Sequence, residues 1–297
     1  MSKKILVWHK RKYDKYWLNF RKQGIGGSDV SAIFGVDKWK SATDVFLEKT
    51  GNLQSIEAME ELPLRLRLKD FIAKEFAWRS GFNLIRRNAI LKHPKYPFMI
   101  GTIDRLILNE NAGLMCKSVA EYAKDEWSNG NVPYRYLLQC QHYMAITNAE
   151  KWWIALLIGG NKFKYFSIKR DNDLINKIIE KEKYFWNEYV LKRFPPPFDG
   201  SYGTRNTLNR LYPTATEESL LQLPGEALLW IEKFKAAELA EKQANRNKME
   251  AEHNIKALIG SNEMATIDRY KIEWRNIRGK DRKNHRRFSI KQVDQKL

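Results

Sequence analysis

Pro97-Phe98-Met99-Ile100-Gly101-Thr102-Ile103-Asp104-Arg105-Leu106-Ile107-Leu108, followed a turn later by Leu114-Met115-Cys116-Lys117-Ser118-Val119, is the stretch that decides the fold. Both runs are short and apolar, and both carry β-branched residues. The 109–113 segment between them holds Asn109, Asn111 and Gly113, which favour a turn. The pattern predicts strands over 97–108 and 114–119, preceded by one over 83–91, as a hairpin meander. It brings an aspartate and a lysine to one sheet edge.

Outward from this centre, apolar spacing predicts a helix over 133–147 and strands over 151–158 and 162–169 around Gly159-Gly160-Asn161. A helix over 171–191 follows, with Leu174, Ile175, Ile178, Ile179 and Phe185 inward. Upstream, 57–79 forms a helix interrupted near Pro63, with Leu64, Leu68, Phe71, Ile72 and Phe76 as its stripe. A helix over 42–50 ends at Gly51, and aromatic and basic residues over 8–23 have helical spacing. Gly24-Ile25-Gly26-Gly27-Ser28-Asp29 is a glycine-rich turn, with Ser28 as the hydroxyl that opens a short helix. Pro195-Pro196-Pro197 and Asp199-Gly200-Ser201 close the core, dividing the chain into 1–203 and 204–297. The second part has a long charged helix within 217–259, a strand pair over 267–276 and 286–291, and many Arg and Lys from Lys271 on. The fold class is α/β.

The 297 residues contain 53 Lys plus Arg against 35 Asp plus Glu, a formal charge of +18. A polyanion is the natural partner of such a chain. With 43% hydrophobic residues, a folded core is expected. The two cysteines, Cys116 and Cys140, form no CxxC pair, which excludes a zinc ribbon and fits a reducing compartment. The longest apolar run, Trp152 to Ile158, is too short for a bilayer, and the N-terminus has no signal-peptide pattern. A soluble protein with no membrane partner is expected.

Several blocks then occur in one order: Gly24 to Val30, Trp39-Lys40-Ser41, Leu47 to Gly51, Asn88 to Pro94, Pro97 to Asp104, Gln139 to Ala145, and Trp186 to Pro197. Together with Leu258-Ile259-Gly260 and Arg287-Phe288-Ser289-Ile290 they resemble the YqaJ-type viral recombinases, relatives of phage lambda exonuclease, over nearly the whole chain. The resemblance implies a restriction-endonuclease-like PD-(D/E)xK core with a mixed central sheet flanked by helices, plus a helical C-terminal appendage. It implies Mg²⁺-dependent 5′-to-3′ resection of duplex DNA ends, a homo-oligomer, a single-strand annealing partner, and a phage or prophage protein in a bacterial cytoplasm. Asp104 then matches the metal-binding strand aspartate, Lys117 the motif lysine that orients water, and Gln139 the glutamine beside the metal. Arg21 and Ser28 match the grip on the DNA 5′-phosphate, a job suited to a guanidinium and a helix-opening hydroxyl.

Two positions depart from the family. Met115 stands where the acid of acid-x-Lys belongs, and a thioether is a poor Mg²⁺ ligand. Lys69 stands where the helix normally supplies a glutamate. Together they change the local charge by about three units, each worth about 4 kcal/mol at ~4 Å and an effective dielectric of about 20. Asp70, Glu75 or Glu110 could replace the lost acids, although Asp70 lies about 100° round the helix from Lys69. Lys69 is either a solvated helix lysine or a cation that contacts a DNA phosphate in place of the metal. His142 is expected to be packed rather than a ligand, and Gln141 and Tyr143 to be structural neighbours. The basic residues Arg275, Arg278, Lys280, Arg282, Lys283, Arg286 and Arg287 suit phosphate contacts or a solubilising tail. Three functions follow: a DNA-binding protein whose degenerate metal site leaves catalysis weak or absent, an active exonuclease with a rearranged acid, or an interaction or inhibitor protein on an inactive nuclease fold.

Overall fold

The computed structural model describes residues 6–8, 15–51, 62–217, 219–277 and 285–293. Contacts divide the chain into two compact units, Met1–Ala215 and Thr216–Leu297. The first unit runs past 203 because helix α7 (Tyr202–Leu211) docks on α3 (Ala42–Thr50), where Thr207 and Arg210 donate to Asp44.

The centre of the first unit is a five-stranded mixed sheet, ordered β3 (Leu84–Ile85), β6 (Arg105–Ile107), β7 (Ala112–Val119), β8 (Lys151–Ile158), β9 (Lys162–Lys169). The β7–β8 pair is parallel and the other pairs are antiparallel. β8 is apolar from Trp152 on because both of its faces are covered, whereas β9 at the edge is mostly exposed. Alternation along β7 divides its side chains between two layers. Leu114 and Cys116 pack with Ile72 and Phe76 of α4 (Leu62–Ser80), and Met115 packs on the other face with Leu138 and Met144 of α5 (Tyr134–Thr147). α6 (Asn172–Phe185) joins the α5 layer through Ile175 and Ile178, and its last turn runs into a wider helical turn at Trp186–Leu191. Gly113 lets β7 approach β8, since a Cβ there would stand 2.3 Å from the Trp152 ring.

The predicted 97–108 strand is two strands in two sheets. β5 (Met99–Gly101) belongs to a four-stranded sheet ordered β1 (Leu6–Trp8), β4 (Ala89–Lys92), β5, β2 (Ile25–Gly26), while β6 belongs to the central sheet. The chain changes sheets across 102–104, so Asp104 sits at the crossing. The 83–91 segment divides likewise, into β3 and β4. In α4, Ile72 and Phe76 are buried as the stripe requires, with Ala73 beside them, but Leu64 and Phe71 are exposed. Pro63 lies in the first turn of α4, where its missing N–H costs nothing. Of the predicted 8–23 helix, α1 (Lys15–Arg21) forms, and residue 8 is in a strand. The rest of that segment and the start of the predicted 57–79 helix lie outside the described residues.

The second unit contains α8 (Ala227–Ile259) and a three-stranded antiparallel sheet, β10 (Met264–Ile267), β11 (Tyr270–Ile277), β12 (His285–Gln292). The expected strand pair thus has a third member.

Candidate functional site

Five parts of the chain converge on one cleft of about 220 Å³. The glycine-rich turn brings Gly26, Gly27 and Ser28 to it, α1 brings Arg21, α4 brings Lys69, and the end of β7 brings Lys117. α5 completes it with Gln139 and Tyr143, one helical turn apart on the same face. Gly27 has to be a glycine, because a Cβ there would lie 2.6 Å from the Tyr143 ring and 3.1 Å from Gln139 Cγ.

Lys117 Nζ donates to Gln139 Oε1 at 3.1 Å and lies over the Tyr136 ring, and Gln139 Nε2 donates to the Tyr143 hydroxyl at 2.9 Å. Burial, then the negative charge of Asp104, pushes the Tyr143 phenol above its ordinary range, so it stays protonated. Asp104 is held on both oxygens: Oδ1 accepts from Lys69 Nζ at 3.0 Å, and Oδ2 accepts from the Cys116 N–H at 3.0 Å. The ammonium of Lys69 therefore lies against the one acid in the motif. Met115 is 1% exposed, within the apolar layer under α5.

Two of the three candidate replacement acids are engaged elsewhere, and the third is on the surface. Asp70 accepts from Arg86 and Arg105, Glu75 pairs with Arg79 at 2.6 Å, and Glu110 is exposed. Among the described residues, no group of three or more His, Cys, Asp or Glu is arranged to hold a metal ion. Mg²⁺ takes hard oxygen ligands in near-octahedral geometry, and a single carboxylate already paired to an ammonium does not meet that demand. The described residues by themselves do not supply the ligand set that the family resemblance implies.

The Arg21 side of the cleft is built on a buried carboxylate that the sequence reading left without a role. Asp29 is fully buried. Its Oδ1 accepts from Arg21 at 3.1 Å and Lys40 at 2.9 Å, and its Oδ2 from Lys49 at 2.7 Å and the Gly26 N–H at 3.0 Å. Burial alone would raise the Asp29 pKa, but Lys40, Lys49 and Arg21 together outweigh it and hold the carboxyl well below its usual range. Glu48 supports Lys40 at 2.8 Å. The same Arg21 Nη2 donates to Ser28 Oγ at 3.1 Å, so Arg21 and Ser28 stand together as expected. Ser28 does not open the helix: α2 (Val30–Ile33) starts two residues later, with Asp29 at its cap position. The signal for Asp29 was the Gly-Gly-Ser-Asp sequence, but its three cations are drawn from positions 21, 40 and 49, and no local pattern joins them.

His142 is packed, as expected. Its Nδ1 meets Glu182 at 2.8 Å and its Nε2 meets the Ile100 carbonyl at 2.9 Å, all within the core. Gln141 serves structure, bonding the Lys169 carbonyl and the Asp171 N–H. No described helix is long and apolar enough to cross a membrane.

The mixed sheet, the helices on its faces and an acid at the sheet crossing define the class: the first unit has the restriction-endonuclease-like fold of the alkaline exonucleases. An alkaline exonuclease from Laribacter hongkongensis superposes with a TM-score of 0.52 at 16% identity, covering 67% of this chain and all of that one. The same enzyme crystallised with dAMP gives the same TM-score over 97% of its length. In sequence, residues 16–150 match the YqaJ-like viral recombinase domain. The chain is also 35% identical to YqaJ of Bacillus subtilis (strain 168) over 264 residues, 88% of this chain and 83% of that protein. The protein belongs to the YqaJ family.

Proposed function

We propose that the protein binds the 5′-phosphorylated ends of duplex DNA and degrades them weakly or not at all. The observation that carries this reading is the cleft lining. Three cations, Arg21, Lys69 and Lys117, line the cleft, and the acids that meet them among the described residues, Asp104 and Asp29, stand behind the lining rather than in it. Such a cleft attracts phosphate and disfavours a divalent cation. Of the two readings of Lys69 the stand-in cation is the better supported, because its ammonium lies 3.0 Å from Asp104, where a metal-binding family member needs room for an ion. Arg21 and Ser28, fixed on the Asp29 hub, supply the 5′-phosphate grip. The rearranged-acid reading has little support while Asp70 is held by Arg86 and Arg105.

End-labelled linear duplex incubated with Mg²⁺ or Mn²⁺ tests this. Tight binding without nucleotide release is expected, and release that Asp104→Ala abolishes would refute the reading. In the converse experiment, Lys69→Glu combined with Met115→Glu is expected to create Mn²⁺ binding, read by calorimetry and by a metal-dependent rise in Tm. No change in metal affinity would mean that these two positions are not the family's acid positions. The self-association implied by the family has a candidate surface in the exposed Leu228, Leu229, Trp230, Ile231 and Phe234 of α8, to be checked by light scattering.

A further inference from the structure

The sheet of the second unit has two unlike faces. Register puts Ile272 opposite Ile290 and Trp274 opposite Phe288 on one of them. The end of α8 covers the Trp274–Phe288 part of that face: Lys256 lies over both rings, while Ile259 and Ile272 are buried and Ile290 stays 47% exposed. Arg286, on the same face, stacks on Trp274 and donates to the carbonyls of Trp274, Gly260 and Asn262, so it is a structural arginine. The opposite face carries Lys271 across from Lys291 and Arg275 across from Arg287, with Glu273 facing Ser289 between them. Its four cations outnumber its one acid, a net charge of +3. Lys271, Arg275 and Lys291 keep 40%, 47% and 67% of their side-chain surface exposed, and all three gather round Glu273 at 3.2 to 4.0 Å.

Like charges directly opposite one another on a sheet are destabilising. Two such pairs on an open face serve no packing purpose, and they fit an external polyanion. From Lys271 to Arg275 the strand spans about 13 Å, so the cations form a compact block on the scale of the DNA major groove, about 12 Å wide. The chemistry of the face selects among polyanions. A single strand is gripped by stacking its bases on aromatic side chains, and the aromatics Trp274 and Phe288 are on the covered face. A membrane surface calls for an apolar stripe to insert. Apart from Met264, itself engaged by Arg275, the neighbouring strand contributes only Thr266.

We propose that this face, Lys271, Arg275, Arg287 and Lys291, is a second DNA site that holds the phosphate backbone of duplex DNA without regard to sequence or ends. It is separate from the end-binding cleft and does not depend on that reading. The test uses the full-length protein on two duplexes: a dumbbell closed by hairpins, which has no 5′-phosphate end, and a linear 5′-phosphorylated duplex. Replacing all four cations by glutamine is expected to lower dumbbell affinity at least about tenfold at 0.1 M salt. It should also flatten the dependence of log K on log salt by about 2 to 4, as release of that many counterions requires. Glu273→Gln is expected to act in the opposite sense, raising affinity and steepening the slope by about 1, so the test survives a quadruple variant that fails to fold. Dumbbell affinity unchanged in both variants overturns the proposal, as does a loss confined to single strands or to anionic vesicles. Loss of the linear duplex's advantage over the dumbbell in Arg21→Ala bears on the cleft reading alone.

Discussion

Asp29 and Lys69 are each a charge placed against charge, with opposite consequences. Among the described residues, Asp29 is the anion on which Arg21, Lys40 and Lys49 converge, and Lys49 is itself buried, its ammonium pulled below the usual range by that burial. Removing one partner of a buried ion pair typically costs about 3–5 kcal/mol, because the other is left unpaired. Asp29→Asn is therefore expected to destabilise the protein by about 3 kcal/mol and lower its Tm, measured by thermal or urea unfolding; a loss near zero would mean that the cations find other partners. The sign with pH follows from the lowered pKa. The stabilisation is present above the unfolded aspartate value of about 3.9 and is lost as pH falls through the folded one, so wild type and variant should converge in acid. Lys69 and Met115 could be singled out from the sequence because the family resemblance expects an acid at each, at a fixed spacing from neighbouring residues. The Asp29 hub was not, because three partners from three elements define it and none is within seven residues of it.

At the scale of elements, the sequence foretold best what local periodicity controls. The α5 helix, the β8–β9 hairpin and the α3 cap, a Ser41–Asp44 capping box closed by Gly51 with φ 85°, all follow from residues close in the chain. The 97–108 run was misread because apolar content continues through Thr102–Asp104 while hydrogen bonding changes sheets there, and pairing partners are not a local property. Beside that crossing, Gly27→Ala is expected to push against Tyr143 and Gln139 and to weaken binding of 5′-phosphorylated duplex while leaving α5 helical; equal affinities in a titration would show that the turn gives way freely. The α5–α6 contact carries a further prediction. Burial raises Glu182; burial lowers His142, but the charge and hydrogen bond of Glu182 together with the Ile100 carbonyl outweigh it and raise His142, so the folded pair holds its proton more tightly than the unfolded chain does. The resulting stability is present below the unfolded histidine value of about 6.5 and is lost as pH rises through the folded value. The Tm gap between wild type and His142→Gln should narrow from pH 6 towards pH 9, and a gap that widens would reverse the assignment.

Across the whole molecule, the structure gives the net charge of +18 two different settings. In the first unit the cations are organised by buried acids and by the glycine-rich turn, whereas in the second they stand on an open sheet face. The two settings should be separable, because the four apolar clusters of the core, from Trp17 to Val190, all lie within residues 1–215. α8, in contrast, buries only Ile259 among its 33 residues. A fragment of residues 1–215 is therefore expected to unfold cooperatively with a Tm within about 3 °C of the full chain's first transition, a shift that corresponds to about 1 kcal/mol in a domain of this size. It should also keep its preference for 5′-phosphorylated over unphosphorylated ends while its dependence on salt becomes shallower. Non-cooperative melting of the fragment would mean that the second unit completes the core. A folded fragment that no longer distinguishes the phosphorylated end would mean that the Arg21–Ser28 grip needs residues beyond 215.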